Sequence, residues 1–143
     1  MSAGTVLIKW VEGEMFVGQD RYGNSIVLGS TPGRDPEFRG VKPSDLLLLG
    51  LIGCSGYDVA SVLQKQRQAL TALEISATGE QADEPPFQFT RIHTHYRLCG
   101  KNLNEQKIAR AIQLSEERYC TVFATLRAGV QLTSDYVIEE VTT

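Results

Sequence analysis

The sequence predicts an α+β protein with mostly antiparallel sheet, and three observations predict it. The first forty residues carry short alternating runs separated by turn residues, the pattern of a β-meander. An apolar block then opens at Pro43 and continues at helical spacing to about Leu70. Beyond it, Phe87 to Leu98 (FQFTRIHTHYRL) alternates cleanly before helical spacing resumes. The order β-β-β-α-β-β-α-α-β belongs to the α+β class.

Each element has a local reason. Thr5 to Glu12 (TVLIKWVE) alternates over part of its length, Gly13-Glu14 turns the chain, and Met15 to Gly18 runs back. Gln19 to Asn24 (QDRYGN) holds turn residues, and Ser25 to Leu28 reads as a third strand. Gly29 to Lys42 (GSTPGRDPEFRGVK) has no period and reads as a long loop, either a rim over a site or a linker. Pro43 suits a first helical position, and Asp45 suits the positive end of the helix dipole. The helix from Leu46 is apolar nearly all round as far as Ile52, which predicts burial on all sides, and one-sided after that. Gly50, Gly53 and Gly56 weaken it by roughly 1 kcal/mol each, which close packing against another backbone would offset.

Thr71 to Gly79 reads as a strand and Gln81 to Pro86 as a turn. In the next strand Ile92, Tyr96 and Leu98 share the face better suited to the core. Arg91, His93, His95 and Arg97 share the other. Asn104 caps a helix carrying Ile108, Ala111, Ile112 and Leu114. A further helix, or a continuation, runs from about Glu116 through Cys120 and Leu126 to a cap near Gly129, and Val130 to Glu140 is a closing strand.

The chain has 143 residues, room for one domain with a real core. It reads as a single domain over 1–143, with a meander and loop over 1–40 and a helix-bearing part over 41–143. Its formal net charge is −3 with no basic run, so neither nucleic acid nor an anionic membrane is an expected partner. The beginning lacks the residue order of a secretory signal, and the apolar block Leu46 to Ile52 is too short to span a bilayer. The expected compartment is the cytoplasm. Three cysteines at wide spacing there are not a disulfide framework; they are inert buried thiols or redox groups.

Three groups of residues offer chemistry. Cys54 lies among small residues that let a reactant approach its sulfur, and Cys120 sits in a second apolar stretch. From spacing, the two are either a redox pair or a pair of buried small hydrophobes. His93 and His95 point to one side of a strand near Cys99, as metal ligands or as part of a solvated face between Arg91 and Arg97. Gly18 to Gly23 lacks the lysine and helix of a phosphate loop and reads as a hairpin.

The stretch from Pro43 to Val59, PSDLLLLGLIGCSGYDV, resembles the OsmC/Ohr family of osmotically inducible and organic hydroperoxide resistance proteins, closest to its OsmC-like branch. Leu114 to Val122, with Cys120, is similar to the family's second-cysteine segment, and His95 to Gly100 to the strand and turn before it. The resemblance implies antiparallel sheets wrapped around central helices in an intertwined homodimer. It also implies thiol-dependent reduction of a small organic hydroperoxide, with no metal or bound cofactor. Cys54 would attack the peroxide, Cys120 would close a disulfide, and an external dithiol of lipoyl or thioredoxin type would reset it. Arg21, in Arg-Tyr-Gly, matches the family's thiolate-orienting arginine. The family's glutamate falls at Ser44; the acid this chain offers is Asp45, about 100° further round the helix. Phe38, Leu47, Leu51 and Tyr57 would wall an apolar substrate pocket, with Arg34 and Arg39 as further cations. Asp58, one turn after Cys54, opposes activation, because a carboxylate raises a thiol's pKa. Ser44, Asp58 and the mild acidity favour an alternative, a dimer that binds a small molecule or acyl ligand with little turnover. A third reading is a purely structural interaction module.

Overall fold

The computed structural model describes residues 3–31, 33, 34, 37 and 40–142. Its strands are β1 (Leu7–Glu12), β2 (Met15–Gln19), β3 (Ser25–Leu28), β4 (Ala69–Gln81), β5 (Phe89–Lys101) and β6 (Gln131–Glu140). Its α-helices are α1 (Pro43–Lys65), α2 (Glu105–Leu114) and α3 (Thr121–Leu126). The α+β class and the element order are as the sequence predicts. The chain divides into two compact units, Met1–Leu47 and Leu48–Thr143.

In the first unit β1, β2 and β3 form an antiparallel meander, with Lys9 opposite Val17 and Val17 opposite Val27. Gly13 takes φ 51° in the first turn, a conformation open to glycine. The second turn is held by Asp20, whose Oδ1 accepts the N–H groups of Tyr22 at 2.9 Å and Asn24 at 2.8 Å. This is the expected hairpin. After the loop, Val41 returns to β3, donating its N–H to the Val27 carbonyl at 2.9 Å.

In the second unit β5 is central. β4 pairs with it antiparallel (Leu73 opposite Leu98), whereas β6 runs parallel to it (Tyr96 opposite Tyr136). The expectation of antiparallel sheets is corrected at this pair. The segment between β5 and β6 contains α2 and α3, a crossover long enough to bring the chain back in the same direction. Alternation along β5 is as expected: Ile92, Thr94, Tyr96 and Leu98 are buried, and Arg91 and Arg97 are exposed.

Helix α1 lays Leu51, Ser55, Val59 and Leu63, spaced four apart, against the core of this unit. Val59 and Leu63 join Tyr96, Leu98, Ile108, Ala111 and Ile112, while Leu51 joins Ile92 and Cys120. Fully burying each such aliphatic side chain stabilises by about 1.5–3 kcal/mol. Gly56 is the close approach among the helix glycines; a Cβ there would stand 3.0 Å from Ile75 Cδ1. Gly53, next to Cys54, faces open space. Within a single chain the helix is not covered on all sides, since Leu47 and Leu49 stay 40% and 48% exposed.

The helix also ends at Lys65 rather than near Leu70, because Arg67 adopts φ 56°. Gln68 and Arg67 then close the end by donating to the Leu63 and Gln64 carbonyls, both at 3.0 Å. At 23 residues and a mean hydropathy of 1.8, α1 is long and apolar enough by length and composition to cross a membrane, contrary to the expectation from Leu46 to Ile52 alone. Its buried stripe is equally that of a core helix.

Candidate active site

Two segments build the site. On α1, Cys54 and Asp58 are one turn apart and flank the buried stripe, so each is half-buried. The facing segment joins α2 to α3. Asn104 caps α2 as expected, its side chain accepting the Lys107 N–H at 3.0 Å. After Leu114 the helix widens into one π turn, Ser115–Tyr119, closed by the Cys120 N–H donating to the Ser115 carbonyl at 2.8 Å. The chain then becomes extended at Cys120 (φ −75°, ψ 106°), which caps α3. The expected cap near Gly129 is replaced by one at Arg127, just after Leu126.

This geometry turns Ser115 and Cys120 together toward α1. The Cys54 sulfur, the Cys120 sulfur and an Asp58 carboxylate oxygen all lie within 4.8 Å of one another. Ser115, fully buried, donates its hydroxyl to Asp58 Oδ2 at 2.9 Å. Cys120 is 3% exposed. Its sulfur accepts the Phe123 N–H at 3.3 Å and the Ser55 hydroxyl at 3.7 Å, and lies 3.9 Å from the Leu51 carbonyl to which its S–H points. Both thiols are free.

Burial pushes the Cys120 thiol up, and its contact with Cys54 adds to that. The Phe123 N–H and the Ser55 hydroxyl work in the opposite direction. Cys120 therefore stays protonated at neutral pH. Tyr96, on β5 beneath the cluster, is pushed up to about 12, first by burial; its bond to Ser55 opposes this, and Glu116, Cys120 and Asp58 add to it. Burial likewise raises Glu116, against a hydrogen bond with Ser134.

Arg21 is exposed in the β2–β3 turn of the first unit, its guanidinium over Gly4. Asp45 is exposed in the first turn of α1. Leu51 is 1% exposed and forms the floor beneath Cys120 rather than an open pocket wall. Leu47 is part-exposed and Tyr57 is 78% exposed. Phe38 and Arg39 lie outside the described residues.

His93 and His95 share Asp135, with His93 Nε2 at 3.0 Å and His95 Nδ1 at 2.7 Å from its Oδ1; His93 Nδ1 also meets Thr133 Oγ1 at 2.7 Å. Cys99 instead donates to Glu139 at 3.5 Å, and Arg97 makes two bonds to Glu139, each 2.9 Å. On this solvated sheet face Asp135 pairs with the two histidines and Glu139 with Arg97.

Sequence reasoning missed Ser55 and Ser115, and it met Asp58 only as an obstacle. The available signal was spacing. Ile108, Ala111, Ile112 and Ser115 keep helical steps, and the next buried residue, Cys120, comes five later.

The family model described as OsmC-like protein matches residues 34–135. Protein YhfA of Escherichia coli K12 is 36% identical over 131 residues, covering 92% of this chain and 95% of its own. Among solved structures, a hypothetical protein from Aquifex aeolicus VF5 superposes with a TM-score of 0.87 at 25% identity, over 99% of this chain and 100% of that one. The organic hydroperoxide resistance protein OhrB of Bacillus subtilis superposes with a TM-score of 0.64 over 95% and 98% of the two chains, and at 18% identity that is a likeness of fold. The family match and the identity to YhfA establish that this chain belongs to the OsmC-like family.

Proposed function

We propose that the protein is a cytoplasmic thiol peroxidase that reduces organic hydroperoxides. The observation that carries this reading is a pair of free thiols within 4.8 Å, one half-open to solvent and the other buried. Cys54 is the sulfur that a reactant reaches. Its thiolate attacks the terminal peroxide oxygen, breaking the O–O bond and releasing an alcohol, and is left as a sulfenic acid. Cys120 then attacks that sulfur, a disulfide forms, and water leaves with the thiol proton. The bond requires the sulfurs to close to about 2 Å. An external dithiol of lipoyl or thioredoxin type reduces the disulfide and becomes oxidised in turn. The sum converts hydroperoxide and dithiol into alcohol, water and disulfide. The shared fold with OhrB supports the reading, as does membership of the family.

Arg21 is the cation assigned to the Cys54 thiolate, and Asp45 the acid assigned to hold it, both by their match to the family pattern. The protein works as a homodimer in this reading. Large apolar side chains left exposed on the chain support that, with Trp10 at 67%, Ile8 at 56% and Leu49 at 48%.

The test is the mass of the reduced protein after one equivalent of cumene hydroperoxide. Loss of two hydrogens, mapped to a Cys54–Cys120 disulfide and abolished in Cys54→Ser, supports the peroxidase. Unchanged thiols, or equal peroxide consumption by Cys54→Ser, exclude it. One observation favours the second reading, a binder of an acyl or other apolar ligand. The first unit contains an apolar groove of about 580 Å³ lined by Ile8, Phe16, Leu28, Pro43 and Leu46, with Arg34 at its rim. Unchanged thiols together with saturable binding of a fatty-acyl probe would identify that function instead.

A further inference from the structure

We propose that Cys54, Asp58 and Cys120 form a binding site for a thiophilic divalent cation of the zinc type. The binding claim stands without the peroxidase reading; the regulation that follows from it rests on that reading.

Cys54 and Asp58 are spaced i and i+4 on α1, the spacing by which one helix face presents two ligands to a zinc ion. Cys120 supplies the third donor from the opposite wall. The three donor atoms lie within 4.8 Å of one another. Zinc–sulfur bonds of ~2.3 Å at tetrahedral angles set two sulfurs about 3.8 Å apart. From the 4.8 Å bound, an adjustment of about 1 Å brings the sulfurs to that separation.

The donor set selects the ion. Two sulfurs and one carboxylate oxygen suit a borderline-soft cation and exclude calcium and magnesium, which demand oxygen ligands. The carboxylate is already oriented, because Ser115 donates to Oδ2 at 2.9 Å. Water or a substrate atom would complete the tetrahedron.

With both sulfurs on the metal, neither attacks a peroxide. Conversely, a Cys54–Cys120 disulfide removes two of the three ligands and releases the ion. The metal thus holds the dithiol reduced and inactive.

The experiment titrates zinc into the reduced, EDTA-treated full-length protein against a chromogenic chelator, and repeats the titration with cobalt to read sulfur-to-metal charge-transfer and tetrahedral bands. One ion per chain is expected. Asp58→Asn should weaken binding 10-fold to 100-fold, Cys54→Ser should abolish the charge-transfer band or halve it, and Cys99→Ser should change nothing. Zinc should also protect Cys54 of the unaltered protein from iodoacetamide, which gives a readout independent of how any variant folds. Absence of stoichiometric binding overturns the proposal. So does binding that survives Cys54→Ser but is lost in His95→Ala. If zinc fails to bind while peroxide still forms the disulfide, this inference falls and the peroxidase stands. If zinc binds and no disulfide forms, the site stands and the peroxidase falls.

Discussion

Ser115 donates its hydroxyl to Asp58 across the gap between the α2–α3 junction and α1, at 2.9 Å, from a position with no solvent exposure. The bond fixes a carboxylate beside two thiols and ties the π turn to the helix that carries Cys54. Replacing Ser115 by Ala leaves the Asp58 oxygen without that donor. The expected cost is about 1–3 kcal/mol of folding stability, read from urea denaturation. Asp58→Asn keeps an acceptor for Ser115 and should cost less. If Ser115→Ala is as stable as the parent, the bond does not hold the two segments together.

The two thiols should differ in reactivity. Cys120 is 3% exposed and its thiol is pushed up by burial, whereas Cys54 is half-buried at the edge of the cluster. Iodoacetamide should therefore modify Cys54 well before Cys120 in the native reduced protein, as peptide mapping will show. In Cys120→Ser, one equivalent of hydroperoxide should leave a sulfenic acid on Cys54 that dimedone traps. Faster labelling of Cys120 than of Cys54 would reverse the assignment of attacking and resolving sulfur.

How far this was legible in the sequence depends on what each signal encodes. Period-two alternation from Ile92 to Leu98 placed the β5 faces correctly, because the side-chain period of a strand is fixed by its backbone. Asn104 marked the start of α2 because its side chain satisfies a backbone N–H that the helix leaves unpaired. Strand direction has no period, so the parallel run of β6 beside β5 was invisible. The end of α1 depends on one left-handed residue, Arg67, which is neither glycine nor asparagine and gave no sign of it. The meeting of Ser115, Asp58 and Cys120 requires the π turn, a change of pitch that helical periodicity cannot express. The nearness of Cys54 and Cys120 followed from the family resemblance; their spacing in sequence left it open.

The exposed apolar residues predict association. Trp10 on β1 is 67% exposed and Ile8, on the same strand, 56%. Monomeric proteins seldom leave such side chains together in water. The protein should elute as a dimer by light scattering, and Trp10→Glu combined with Ile8→Glu should shift it toward monomer. A parent protein that is monomeric at all accessible concentrations would rule out the dimer.

Asp135 predicts a pH dependence with a definite sign. The hydrogen bond from His95 is the largest influence and lowers the carboxyl below its ordinary 3.8; the small loss of solvent opposes this, and the bond from His93 reinforces it. A carboxyl whose folded-state pKa is depressed binds its proton more readily in the unfolded chain. Its contribution is therefore present in full above 3.8 and is lost as pH falls through the lower folded-state value. Asp135→Asn removes that titration. The variant should melt slightly below the parent at neutral pH, since the group is well exposed and screened by solvent. The difference between the two melting temperatures should shrink below pH 3.8 and close once the parent's carboxyl is protonated. A difference that keeps growing below pH 3.8 would rule out a depressed Asp135 carboxyl.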